Sequence, residues 1–254
     1  MEVMPTHWIF LRGLARETRH WGDFPQLFQE AFPHTKNYVL ELPGVGKKYN
    51  ESAPLQLESY VDQLRTQWLE LKKDTSERWG ILSISMGSML AMTWATRYPH
   101  DFQEGVLINS SAGNLSSLKE RFSPQAMKMV SKLFFKEDYW EREREILNLT
   151  THKILVTNKL ISEYAEYSRQ YPIKRKNFMA QIYAASKFKV PLKLPFDPII
   201  LNGRHDALAS PKCSDILGKH FNVPVYRDEL SGHDLPLDHP KWIIEVLSQK
   251  FKRK

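Results

Sequence analysis

Apolar residues recur along the chain in two alternating patterns. Short continuous runs, rich in β-branched residues, occupy 8–12, 38–42, 80–85, 105–109, 198–202 and 223–227. They do not alternate strictly between apolar and polar; Ile81-Leu82-Ser83-Ile84 is an example. Strands covered on both faces read this way, so the six runs predict a parallel sheet buried between layers. Longer stretches with helical spacing separate them. The stretch 24–31 is short and amphipathic. From 57 to 71, Leu57, Val61, Leu64, Trp68 and Leu71 recur at steps of three or four, which places them on one helical face. The stretch 86–97 is small and apolar on nearly every side, so it predicts a buried helix that Tyr98-Pro99 stops. A last helix over 241–251 follows Pro240. Alternating strand and helix predicts an α/β, doubly wound fold.

One region breaks the alternation. Between 115 and 190 the pattern is helical throughout. Ser123-Pro124 reads as an N-cap and first helical residue, opening a helix to about Phe135. Further helices are expected at 137–149, 159–171 and 174–187. The organisation expected is therefore a core of residues 1–114 and 191–254 carrying a helical cap of residues 115–190.

Composition narrows the class. A chain of 254 residues buries a sizeable core without staples. Its single cysteine, Cys213, excludes an intramolecular disulfide framework and a cysteine-based zinc cluster. With 42% hydrophobic and 26% charged residues, it reads as an ordinary globular protein. The N-terminus lacks a basic segment leading into a long apolar core, and no apolar run approaches the length of a membrane span. A cytoplasmic chain is the expectation. The net charge of +7 is regional: residues 116–190 hold 15 basic against 8 acidic side chains, and Lys250, Lys252, Arg253 and Lys254 make a basic tail.

The candidate chemistry begins at Ser83-Ile84-Ser85-Met86-Gly87, where the third strand gives way to the buried helix. This is the S-x-S-x-G form of the nucleophile elbow G-x-S-x-G. Strand and helix nearly touch at such a turn, so positions two before and two after the nucleophile must be small. Gly87 fits, and Ser83 adds one hydroxymethyl group. The elbow lifts the Ser85 hydroxyl clear of the sheet and puts the Met86 N–H at a helix N-terminus, where developing negative charge is stabilised. A serine hydroxyl also needs a base and an orienting carboxylate. His233, in Leu230-Ser231-Gly232-His233-Asp234, follows the last strand and faces the same edge of the sheet. Asp206, in Gly203-Arg204-His205-Asp206, follows the fifth strand. The order Ser85, Asp206, His233 is that of the nucleophile-elbow enzymes. Gly13, after the first strand, permits a turn that aims the Leu14 N–H at the same oxyanion.

Two glycine motifs fail on spacing. Around Gly44-Val45-Gly46-Lys47-Lys48, a P-loop would need glycine where Glu41 stands and Ser or Thr where Lys48 stands; a dinucleotide fingerprint would need glycine where Tyr49 stands. No nucleic-acid module motif is present.

With these residues in view, the sequence resembles the α/β-hydrolase superfamily over nearly its whole length. The resemblance rests on Arg12-Gly13, on Glu41-Leu42-Pro43-Gly44-Val45-Gly46 (similar to D-x-P-G-x-G), on the Ser85 elbow, on Gly203-Arg204-His205-Asp206, and on Gly232-His233 with Pro240. Arg12 stands for the common His, Glu41 for Asp and Ser83 for Gly; the N-terminal hairpin of the family is expected to be minimal. The resemblance implies Ser85 as nucleophile, His233 as base, Asp206 as acid, and the Leu14 and Met86 amides as oxyanion hole, with no cofactor and no metal. Chain size and cap look most like small bacterial carboxylesterases, such as the pimeloyl-acyl-carrier-protein methyl esterases of biotin synthesis. That similarity implies an ester or thioester substrate and an acidic acyl carrier protein docking on basic cap residues, for which Arg121, Lys128, Lys132, Arg142 and Arg144 are candidates. The same three catalytic residues serve lyases and C–C bond hydrolases of the superfamily, so reaction type stays open at this point. A non-catalytic ligand-binding module would be favoured by loss of a triad residue.

Overall fold

The computed structural model describes residues 4–111 and 113–252, the side chains of 130–135 and 252 excepted. Six strands form one sheet: β1 (His7–Leu11), β2 (Lys36–Val39), β3 (Trp79–Ile84), β4 (Glu104–Ile108), β5 (Ile199–Gly203) and β6 (Val225–Asp228). Their order is β2-β1-β3-β4-β5-β6, and every pairing is parallel. The first strand lies one place in from an edge; the chain moves to that edge, returns past β1, and proceeds to the other. All the strand C-terminal ends therefore open on one side, with the order reversing beside β1.

The continuous apolar runs are explained by two cores. Ile9, Leu11, Ile81, Leu107 and Ile200 point to one face. They pack there against helices α2 (Leu57–Leu71), α3 (Met86–Arg97) and α9 (Lys212–Phe221). Trp8, Phe10, Leu82, Ile84, Val106, Ile108, Ile199 and Leu201 point to the other. That face is covered by α1 (Phe24–Ala31) and α11 (Pro240–Lys252), with Leu235 of the short α10 (Leu235–Asp238). Burying both faces removes the polar alternation that a half-exposed sheet would show. Helix α3 has nine buried residues, which matches its all-round apolar pattern.

Between β4 and β5 lie five helices and no strand among the described residues: α4 (Leu118–Arg121), α5 (Pro124–Phe135), α6 (Tyr139–Thr150), α7 (Asn158–Gln170) and α8 (Arg175–Ser186). Their starts are set by capping. The Ser123 hydroxyl accepts from the Ala126 N–H ahead of α5, Asp138 caps α6, and Thr157 caps α7. Helix α4, which the sequence pattern did not predict, is a single turn held by the Ser117–Glu120 capping box.

Strands β3 and β4 each stop one residue before the expected end. The reason is the same at both: Ser85 and Asn109 take positive φ, 57° and 47°, so the chain turns away after one last amide bond to the neighbouring strand. Strand β2 starts earlier and ends sooner than its apolar run, pairing only with β1 at the sheet edge.

Candidate active site

Ser85 sits at the turn from β3 into α3, with φ 57° and ψ −122°. A non-glycine residue reaches this region only at a cost that the surroundings must hold in place. Two close approaches do so. A Cβ on Gly87 would lie 2.5 Å from the Leu11 carbonyl oxygen and 2.6 Å from that of Arg12. One on Gly13 would lie 2.9 Å from the Ser85 Cβ. The turn thus packs backbone on backbone against the end of β1. Ser83 is accommodated because its fully buried hydroxyl donates to the Val106 carbonyl at 3.0 Å, while the Ser88 hydroxyl donates to the Ser83 carbonyl at 2.9 Å.

Asp206 and His233 are brought together. His233 Nδ1 lies 2.7 Å from Asp206 Oδ2. The other carboxylate oxygen accepts from the Leu208 and Ala209 amides at 2.8 and 2.9 Å. Three donors fix one carboxylate, and the bond to Nδ1 leaves Nε2 as the nitrogen available for proton transfer. Ser85, His233, Leu14 and Met86 all line one cavity of about 580 Å³ at the C-terminal edge of the sheet. Among the described residues, neither the Leu14 nor the Met86 amide donates to a protein acceptor.

Sequence reasoning missed the residue that ties these loops together. Asn109, at the end of β4, donates to the Gly232 and His233 carbonyls at 3.1 and 2.7 Å. Its side-chain oxygen accepts from the Gly203 amide at 2.9 Å and from the Asn202 side chain at 3.0 Å. One fully bonded amide therefore sets the loop of Asp206 against that of His233. The available signal was a polar residue closing an apolar strand on the edge where Ser85 emerges. Gln181 of α8, fully buried, accepts from the Ala15 amide at 2.8 Å and holds the turn beyond Leu14.

Charges surround the site in buried pairs. Arg12 meets Asp234 with two parallel bonds of 2.9 and 2.6 Å. Burial would raise the Asp234 carboxyl, but the Arg12 guanidinium, with Arg16 behind it, offsets this and holds it below the usual carboxylate range. Arg16 reaches Glu143 of α6 at 2.6 Å, and Ser168 of α7 donates to the same carboxylate at 2.8 Å. His20 beside them is held well below the ordinary histidine value by burial and by the Arg16 and Arg12 charges.

The five cap cations named from the sequence do not share a place. Arg121 and Arg142 line the cavity. Arg144 pairs with Glu141 at 2.5 Å, and Lys128 is exposed. The Lys132 side chain lies outside the described residues.

Compared by sequence, neither a family model nor a curated protein matches the chain. Compared by structure, many solved proteins do. A meta-cleavage product hydrolase from Pseudomonas fluorescens is 17% identical with a TM-score of 0.76, over 98% of this chain and 92% of that one. A hydrolase from Pseudomonas aeruginosa gives 13% and 0.73, over 98% and 91%. An α/β hydrolase from a deep-sea metagenome of the Medee basin gives 17% and 0.69, over 100% and 92%. The all-parallel sheet, its strand order and these likenesses agree: the chain has the α/β-hydrolase fold.

Proposed function

We propose that the protein is a serine hydrolase that cleaves a carboxylic ester or thioester through an acyl-enzyme, with helices α4–α8 as the cap over its site. The observation that carries this reading is the Asp206–His233 pair at 2.7 Å, opening on the cavity that Ser85 lines from a strained elbow. In this scheme His233 Nε2 takes the Ser85 hydroxyl proton as the oxygen attacks the carbonyl carbon. The negative charge on the tetrahedral oxygen falls to the Leu14 and Met86 amides, which are otherwise unoccupied. His233 then gives the proton to the leaving alkoxide or thiolate, and Asp206 keeps the imidazole in the required tautomer throughout. Water, activated by the same histidine, releases the acid and restores Ser85. No step calls for a group beyond these side chains and amides.

Stopped-flow turnover of a p-nitrophenyl ester tests the reading. A burst of nitrophenolate with one equivalent per protein, and an acyl mass increment on Ser85, is the expected result. Turnover that persists in Ser85→Ala would contradict it.

A further inference from the structure

The turn that carries the Leu14 amide is loosely closed by its own residues. The Arg16 amide returns to the Gly13 carbonyl at 3.4 Å, so residues 13–16 form a β-turn with a long closing bond. Ala15, third in that turn, has a φ of 56°. A type II turn needs positive φ at this place. Glycine takes it freely, whereas the Cβ of alanine makes it costly, so Ala15 must be held there. The hold comes from the helices above the sheet. Gln181 Oε1 of α8 accepts from the Ala15 amide at 2.8 Å, and the Gln181 side chain is fully buried. Gln181 Nε2 is buried without a partner. The one side-chain bond that Gln181 makes among the described residues is therefore the bond to this turn. That bond fixes the Leu14–Ala15 peptide. Types I and II differ by a half-turn of the central peptide, and the half-turn would swing the Leu14 carbonyl, another acceptor, toward the Gln181 oxygen. Phe178 and Ile182, beside Gln181 on α8, line the cavity together with Leu14 and Ala15. One helix thus walls the cavity and sets the turn at its edge.

We propose that Gln181 is a positioning residue: it holds the 13–16 turn in the form that presents the Leu14 amide to the substrate oxyanion. The oxyanion hole is then complete only while α8 is seated on the core. The inference rests on the hydrolase reading and deepens it, because it makes one half of the oxyanion hole depend on a helix outside the sheet domain. The Met86 half has no such dependence, since Met86 opens α3 directly after the Ser85 elbow.

The test uses Gln181→Met, which keeps the length of the side chain and removes its acceptor. Rates are expressed per Ser85 titrated with a fluorophosphonate, so unfolded protein does not count. For p-nitrophenyl butyrate, kcat should fall about tenfold with KM nearly unchanged, less than the roughly 10²–10³-fold cost of deleting an oxyanion donor outright. Affinity for a trifluoromethyl ketone should fall by the same factor. Ser85 adds to its carbonyl carbon, His233 takes the serine proton, and the oxyanion formed has no leaving group to expel. Gln181→Glu keeps an acceptor at the same place and should recover most of both losses. Ala15→Gly supplies the sharper comparison. Glycine takes positive φ unaided, so in that background Gln181→Met should cost only about twofold. A merely structural Gln181 would lower the melting temperature and leave the titrated kcat alone, or would cost the same in both backgrounds. Either result overturns the proposal. With Ser85 labelled and esters cleaved, such a result removes the positioning role alone. A wild type that is neither labelled at Ser85 nor active on esters removes the hydrolase reading, and the positioning role falls with it.

Discussion

The sheet edge that carries Ser85 and the helices above it are held by different means. At the sheet edge the constraints are in the backbone: a positive φ at Ser85, no room for a Cβ at Gly87 or Gly13, and parallel register carried over from apolar strands. The helices α4–α8, beside the apolar contacts of Ala180 and Ala184 in α8, are fastened by polar side chains that reach across to the core. Asp238 accepts from four amides, those of Gly232, His152, Lys153 and Ile154, at 2.7 to 2.9 Å. Asn177 of α8 bonds the Ala53 amide and the Gly44, Tyr49 and Glu51 carbonyls. Arg16–Glu143 and Gln181–Ala15 add two more links. Packing of this kind resists any change in shape, whereas a polar latch can open by exchanging its bonds for water. On the proposed reading, the division suits a site whose reacting atoms stay fixed while the helices above admit substrate.

The largest effects should come from the reacting groups. Ser85→Ala should lower kcat at least about 10⁴-fold with an unchanged melting temperature, and Asp206→Asn should cost about 10³–10⁴-fold by leaving the imidazole in the wrong tautomer. Loss of folding in either variant would blur the separation of chemistry from scaffold. Gly87→Ala sharpens it from the other side. The added methyl meets two carbonyl oxygens in the rigid region, so the whole fold should lose about 3 kcal/mol in denaturant melts.

Asp238→Ala strikes the latch. Asp238 is only 2% exposed, and its loss leaves four amides without their acceptor, which should cost about 2–3 kcal/mol. The loss should appear locally: hydrogen exchange should quicken at His152, Lys153 and Ile154 while β3 keeps its protection. Equal acceleration in β3 would mean that helices and sheet unfold as one unit.

The smallest effect is set by pH. Burial, and then the Glu17 charge, raise the Glu41 carboxyl to about 7. The folded state therefore holds this proton more tightly than the unfolded chain, and the contribution to stability falls as pH rises from about 4.5 to about 7. Glu41→Gln, which does not titrate, should be more stable than wild type by about 2 kcal/mol at pH 8. Near pH 4 the difference should vanish. A constant difference across that range would contradict it.

The same division decides how much was legible in the sequence. The strands follow from apolar runs because both sheet faces are buried, and the placement of Ser85, Asp206 and His233 at one edge follows from their positions after strands. Strand ends were less legible, since a left-handed residue such as Asn109 gives little local sign. Asn109 offered only its place at the end of an apolar strand, and Gln181, Asn177 and Asp238, which organise the site from a distance, gave no sign. Their meaning lies in partners far along the chain, and an isolated Asn or Asp reads as an ordinary loop residue. The basic residues of 116–190 showed the converse. Their number was visible, but the fold alone sorts Arg121 and Arg142 into the cavity and Arg144 onto the surface.

Intact-protein mass spectrometry after reaction with a fluorophosphonate tests the central claim, that His233 and Asp206 activate Ser85. One adduct per chain on wild type, absent in Ser85→Ala and formed much more slowly in Asp206→Asn, is the predicted result. An unlabelled, fully folded wild type, or labelling at an equal rate without Asp206, would contradict it.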